Sequence, residues 1–394
     1  MELPEGMCDV LPDVAERQRR VQRAFQAVLS ASGYREVKTP GFELYEFLRR
    51  GFIAEETMYK FTDHRGRILA LRPDFTLPVL RLALSQLPEE DMPWKLCYTG
   101  EVYRIERPRS GKSHEYTQVG AEILGAPGQV AEVEAIWLAA QGLRQAGYGS
   151  FRIVMGDCRV TSALLRAAGL PTEAQEQARC ALRRQDWVEL EHCLNRASTG
   201  ADVFSCLTET AATIDTAKEL LKGQESQSMV ALEQLEALHD ILVRLGLGGK
   251  IELDFGLIRP MPYYTGMVFE FYTETSAQSI GGGGRYDRMG EVLGRHIPAV
   301  GFAINVTEVA HTIPDTYQDM KKRPSYLLAN AITPAGVEQA FAKLNQLIKQ
   351  GYTGEIDLLG QSRAAILDQA RAKGYHKVLW WEESGWQEIA VSDE

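Results

Sequence analysis

The chain has 394 residues, 45% apolar and 24% charged, and a formal net charge of −10. That length exceeds one ordinary core and predicts two or three domains of a soluble globular protein, and the acidic balance argues against a surface dedicated to a polyanion. No apolar run approaches membrane-spanning length, and the six cysteines, at 8, 97, 158, 180, 193 and 206, form no Cys-x-x-Cys pair, so they read as reduced, mostly packed thiols rather than a disulfide or zinc framework.

In chain order, the amino terminus Met1-Glu2-Leu3-Pro4-Glu5-Gly6 lacks a basic and apolar signal segment, and a cytoplasmic location is expected. Asp13, after Pro12, is a candidate cap for a helix with Val14, Val21, Phe25, Val28 and Leu29 on one face, and Gly33 ends the pattern. Residues 34–40 read as a strand limited by Pro40 and Gly41. Further strands are predicted at 68–71, 94–98 and 116–124, and 130–146 has helical spacing through Val133, Ile136, Trp137, Ala140 and Leu143. Residues 159–249 are almost purely helical in pattern, with Leu232, Leu235, Leu238, Leu242 and Leu245 as the clearest stripe, and read as a helical insertion. Strand signals return at 251–255, 267–272 and 299–303, so one core domain is expected from 1–158 and 250–312. Pro314 and Arg323-Pro324 mark a linker. Beyond it, a strand–helix–strand–helix–strand order over 326–329, 334–350, 354–359, 362–373 and 377–381 predicts a small α/β domain at 324–394 with right-handed crossovers. Mixed antiparallel strands with flanking helices place the main domain in the α+β class.

The polar residues beside these strands converge on one chemistry. Gln118, Gly120 and Glu122 share a strand face by period two, and Asp74 and Thr76 follow the strand at 68–71 in Leu71-Arg72-Pro73-Asp74-Phe75-Thr76. A buried amide beside a buried carboxylate is costly unless satisfied, so these side chains together suit a polar, partly cationic ligand such as an imidazole with two N–H groups. Taken singly, each has a plainer reading: Asp74, Gln118 and Glu122 as satisfied core groups or surface ion pairs, Tyr263 and Tyr264 as core aromatics, Arg104 and Arg259 as structural salt bridges, and the glycines at 281–284 as a mobile turn.

Several segments resemble the class II aminoacyl-tRNA synthetases, specifically the histidyl branch. Residues 99–116, with Arg104 and Glu106, are similar to the second signature motif, and 298–309 to the third. Leu71-Arg72-Pro73-Asp74-Phe75-Thr76, Gln118 with Glu122, Arg259 with Tyr263-Tyr264, and Gly283-Gly284-Arg285-Tyr286-Asp287 are similar to the histidine-specific segments. The resemblance implies a class II antiparallel sheet with flanking helices and a dimer-forming strand near Pro40. It also implies a histidine site: Glu122 and Gln118 on the imidazole, Asp74 and Thr76 on the α-amino group, Arg104 beside them, and Arg259, Tyr263, Tyr264 and Tyr286 closing the pocket.

The departures fall on the nucleotide half. Where the family's third motif ends Gly-x-Glu-Arg, with the arginine clamping ATP, this chain has Asn305 and Glu308; two unit charges ~4 Å apart interact by roughly 4 kcal/mol near a protein surface, so attraction becomes repulsion. Lys112 and His114 stand where the second-motif loop carries Arg-x-Arg, and Pro260-Met261-Pro262 replaces Gly-Leu-Asp, removing two N–H donors. In the amino-acid half Asp74 replaces a glutamate and the rest matches. This sorting resembles the ATP phosphoribosyltransferase regulatory subunits, synthetase paralogues of histidine biosynthesis. It implies a non-catalytic chain with no cofactor or metal, a homodimer within a hetero-octamer with the short catalytic subunit, L-histidine as ligand, and no membrane partner. The tail resembles a truncated anticodon-binding domain, but residues 322–394 hold 8 Lys+Arg and 9 Asp+Glu, so tRNA is not an expected partner. The intact Arg104, Glu106 and Arg259 leave a histidyl-tRNA synthetase or histidine-adenylating enzyme as the alternative, and an RNA-binding sensor as a third reading.

Overall fold

Pro12 opens the first helix of the computed structural model, α1 (Pro12–Ala31), because its fixed φ suits a first turn that needs no N–H donor. Leu11 holds the cap position without a side-chain bond, so Asp13 is a first-turn residue that favours the helix dipole and not the expected cap. The structure describes residues 3–51, 53–106, 113–195, 197, 199–208, 213–223, 226–259, 261, 263–274, 278–312 and 325–391. The predicted linker markers Pro314, Arg323 and Pro324, together with Pro260, Pro262 and Lys112, lie outside them.

Two units follow one another, Met1–Ile313 and Pro314–Glu394. In the first, the strand expected over 34–40 shortens to β1 (Arg35–Glu36). Pro40 has no amide to pair, and the carbonyls of Thr39 and Pro40 accept from the Arg72 guanidinium at 2.9 and 3.3 Å instead of from a neighbouring strand. Next come β2 (Phe42–Leu44), α2 (Tyr45–Arg49), β3 (Lys60–Thr62) and β4 (Ile68–Leu71), whose strands form a small antiparallel sheet in the order β2-β4-β3. The chain leaves β4 directly into α3 (Thr76–Gln86). A pair of long strands follows, β5 (Trp94–Tyr103) and β6 (Glu115–Leu124), then α4 (Gln129–Gln145) and β7 (Phe151–Asp157).

Asp157 caps the next helix by accepting from the Arg159 amide, and a helical block begins: α5 (Cys158–Ala167), α6 (Thr172–Arg184), α7 (Trp187–Leu194), α8 (Gly200–Thr208), α9 (Ile214–Leu220) and α10 (Ser226–Leu242). The leucine stripe is buried through Leu242, but Leu245 is exposed because the helix breaks into a wider turn at Gly246, where φ is 85°. Beyond the block the chain returns as β8 (Ile251–Leu253), β9 (Met267–Thr273), β10 (Ser279–Arg285), β11 (Ala299–Asn305) and α11 (Val306–Thr312). The main sheet has the order β1-β5-β6-β11-β10-β9-β7-β8 and is antiparallel except at its two edge pairs. Thus the helical block leaves and re-enters the sheet through adjacent parallel strands.

The glycine run at 281–284 is a central strand, not a mobile turn. A Cβ on Gly283 would stand 2.0 Å from the Gly301 carbonyl oxygen, so only a strand without side chains lets β9, β10 and β11 close up. Helices α1, α4 and α11 pack on this sheet, with Phe25 of α1 meeting Phe302 of β11. Because side chains alternate along β6 and β11, the residues between those facing the helices turn to the opposite face, where the cleft lies.

The second unit contains β12 (Ser325–Ala329), α12 (Pro334–Lys349), β13 (Thr353–Ile356), α13 (Arg363–Lys373), β14 (Lys377–Glu382) and β15 (Gly385–Ala390). Thr333 and Ser362 cap its two helices, and the sheet runs β13-β12-β14-β15 with the first three strands parallel. The antiparallel β15 extends the predicted order by one strand.

Candidate functional site

All nine residues singled out from the sequence line one cleft of about 720 Å³ in the first unit: Asp74, Thr76, Arg104, Gln118, Glu122, Arg259, Tyr263, Tyr264 and Tyr286. Its floor is the β6–β11 pair. Glu122 lies opposite Gly301 and Gln118 opposite Asn305, so the cleft runs for four residues along the strands, ~13 Å at the usual rise.

Glu122 is only 2% exposed and accepts hydrogen bonds from the phenols of Tyr98, at 3.2 Å, and Tyr286. Burial outweighs these bonds and pushes its carboxyl up to about 8, with Asp74 adding repulsion. A Cβ on Gly301 would fall 1.7 Å from Glu122 Oε2, so the glycine makes room for the carboxylate across the ladder. Gly120 does the same for the Tyr98 hydroxyl, 2.4 Å from where its Cβ would be. Tyr98 in turn stacks on Phe75 with ring centroids 4.4 Å apart, tying Glu122 to the segment that carries Asp74 and Thr76.

Asp74 sits just before α3 and is 5% exposed. Neither of its carboxylate oxygens has a hydrogen-bond partner among the described residues. Burial pushes its carboxyl up to about 6, against the opposing pull of Arg104 and of the Thr76 and Leu77 amides. A buried carboxylate met only by the Arg104 charge and two amides that fall short of full hydrogen-bond geometry is a costly arrangement, and a cationic ligand group would relieve it. The Gln118 Oε1 is a second buried acceptor left without a partner among the described residues.

Arg104 donates to the Pro73 carbonyl at 2.9 Å, and Arg259 donates to the Phe269 carbonyl at 2.8 Å while lying 3.5 Å from Glu270. Each keeps a buried Nε without a partner among the described residues, so each retains hydrogen-bonding capacity for an anionic ligand group. Tyr263 packs against Tyr264 and Tyr286, with centroids 4.6 and 5.8 Å apart, and forms an aromatic wall. A Cβ on Gly282 would lie 1.9 Å from Arg259 Nη1, which explains why the glycine strand also borders the site.

The structure adds Tyr98, Tyr116 and Glu270 to the cleft. Tyr98 was findable by register, since its place opposite Gly120 is set once β5 and β6 pair. His114 is not brought to the cleft; it is buried against Gly6, with Nδ1 2.6 Å from the Tyr59 hydroxyl. Arg285 is also structural, held by Glu132 at 2.6 Å and Asp287 at 3.1 Å.

The family described as Histidyl-tRNA synthetase matches residues 6–309. The chain belongs to the histidyl-tRNA synthetase family. Its branch there is that of the ATP phosphoribosyltransferase regulatory subunits: the protein of that name from Moorella thermoacetica is 32% identical, over 95% of this chain and 96% of its own length. A histidyl-tRNA ligase of the same family, from Methanocaldococcus jannaschii, is 30% identical over 95% of this chain and 90% of its own. Among solved structures, the Bacillus halodurans ATP phosphoribosyltransferase regulatory subunit/histidyl-tRNA synthetase superposes with a TM-score of 0.83 at 26% identity, covering 96% of this chain and 97% of that one. Overall identity therefore separates the two branches of the histidyl-tRNA synthetase family poorly, and the departures inside the cleft carry the distinction. Here Glu308 lines the same cleft as Asp74 and Glu122, and Asn305, its motif partner, accepts from the Glu308 amide at 3.0 Å. The family's glycine and arginine have become a helix cap and a carboxylate.

Proposed function

We infer that this chain is a non-catalytic regulatory subunit of ATP phosphoribosyltransferase that binds L-histidine in the cleft and transmits feedback to a short catalytic partner. The observation carrying this reading is the pairing of two buried carboxyl groups at the amino-acid end, Glu122 held by tyrosine hydroxyls and Asp74 without a hydrogen-bond partner among the described residues, with a carboxylate, Glu308, at the nucleotide end. Glu122 and Gln118 take the imidazole, Asp74 and Thr76 the α-amino group, and the free Nε of Arg104 or Arg259 the carboxylate. Tyr263, Tyr264 and Tyr286 cover the ring.

Histidine regulates only if it binds the inhibited and active states of the assembly unequally, so the cleft must differ between them. The chain acts as a homodimer within a hetero-octamer. The helical block reads as an insertion, and the second unit as an anticodon-binding-like domain whose acidic and basic residues nearly balance.

Phosphoribosyl transfer by the catalytic subunit mixed with this chain tests the proposal. Wild type is expected to support turnover and confer inhibition by histidine, and Glu122→Ala to support turnover with inhibition weakened at least tenfold. Unchanged inhibition in the variant would remove the cleft from the mechanism. The isolated chain is expected to give no histidine-dependent exchange of pyrophosphate into ATP; robust exchange would establish the synthetase reading instead.

A further inference from the structure

The cleft is longer than a histidine molecule, and its far end has a charge of its own. Among the described lining residues, five carboxylates (Asp74, Glu106, Glu122, Glu270 and Glu308) face two guanidinium groups, Arg104 and Arg259. Both guanidinium groups are tethered to backbone carbonyls, and Arg259 is shared with Glu270. At the start of α11 the Glu308 amide is already taken by Asn305 Oδ1, and the Thr307 hydroxyl accepts from the Thr117 amide at 3.1 Å and from Gln18 at 3.3 Å. The backbone amide that could cradle an oxyanion there is spent, and the Glu308 carboxylate lines this end of the cleft together with His311 and the Thr307 hydroxyl, which keeps one proton to donate.

We propose that Glu308 is a specificity residue: it makes the cleft accept small imidazole amines ending in a carboxylate or hydroxyl and reject those ending in a phosphate. This rests on the reading of the cleft as a histidine site and extends it to ligand choice. A phosphate monoester carries about −1.5 to −2 charges at pH 7, which one arginine beside a carboxylate does not balance.

The test compares L-histidine, L-histidinol and L-histidinol phosphate by calorimetry at low salt with wild type, Glu308→Gln and Glu308→Arg. Histidinol and its phosphate differ only in the phosphoryl group, so the ratio of their dissociation constants within each protein cancels any general change in affinity. Wild type is expected to favour histidinol by at least about tenfold, with the ratio falling toward one in Glu308→Gln and inverting in Glu308→Arg. Equal binding of the two by wild type, or a ratio that stays the same in both variants, overturns the proposal while leaving the histidine site standing. Failure of wild type to bind L-histidine at all overturns the site itself.

Discussion

Glu122 illustrates what a buried carboxyl group does to the protein that carries it. Burial opposes its ionisation, so the native state keeps the proton to about pH 8 where the unfolded chain has released it near 4.5. Between those values the native state binds more protons than the unfolded one, and stability therefore falls as pH rises, the loss being complete above about 8. Asp74 adds the same sign over a lower window, from 3.8 to about 6. Glu122→Gln keeps an oxygen for one of the Tyr98 and Tyr286 hydroxyls and offers the other an N–H to accept, and it has no charge to desolvate. It is expected to be more stable than wild type at pH 8.5, by on the order of a few kcal/mol, and nearly equal to it at pH 5. Denaturant unfolding at both pH values checks this. A variant that loses stability from pH 5 to 8.5 as steeply as wild type would assign the pH dependence to other groups. On the histidine reading proposed for the cleft, the same substitution is expected to weaken binding, because the amide cannot ionise to meet a cationic imidazole.

At the scale of elements, β10 shows where a side-chain code stops working. Strands such as β4, β5 and β6 were legible because apolar residues alternate or run together in them, and α1 and α4 because theirs recur at helical spacing. Gly281 to Gly284 have no side chains to carry a period, and their strand exists because neighbouring backbones and Arg259 occupy the space a Cβ would need. Two other strands were hidden for different reasons. β7 buries Phe151, Ile153 and Met155, but Arg152, Gly156 and Asp157 break up its apolar run; β15 is a mostly exposed edge strand of mixed composition. Asp74, Thr76, Gln118 and Glu122 were easier to read than these strands, because each is a polar group on or just after a strand that does have a period, whereas Arg104, Arg259, Tyr263, Tyr264 and Tyr286 were reached through the family resemblance alone. The packing argument makes its own prediction. Gly283→Ala places a methyl against the Gly301 carbonyl and the Phe302 Cα, which are backbone and cannot swing away, so stability should fall by roughly 1–3 kcal/mol or more. Gly149→Ala, with nothing within 4 Å of the new methyl, should stay within about 0.5 kcal/mol of wild type. Equal midpoints for the two variants in a denaturant titration would refute the close-packed account of β10.

For the whole molecule, the division into two units separates the cleft from whatever the carboxy-terminal portion contributes. Every described residue lining the cleft belongs to Met1–Ile313, and the aromatic wall and α3 share one buried cluster with Tyr98 and Trp94. The second unit has clusters of its own, around Leu327, Val378 and Ile366 on one side of its sheet and Leu328, Leu379 and Ala340 on the other. Neither set of clusters draws on the other unit, so each core has the makings of an independent folding unit. Removing residues 314–394 is therefore expected to leave histidine affinity within about threefold of the full chain, since every described residue lining the cleft is retained. Calorimetric titration of the shortened chain with L-histidine measures this directly, and a cooperative thermal transition confirms that the remaining unit is folded. A tenfold or greater loss of affinity in a folded 1–313 chain would mean that the second unit biases the cleft between its conformations. Retained affinity combined with loss of histidine inhibition in the mixed assembly would instead place the second unit in transmission of the signal and not in its reception.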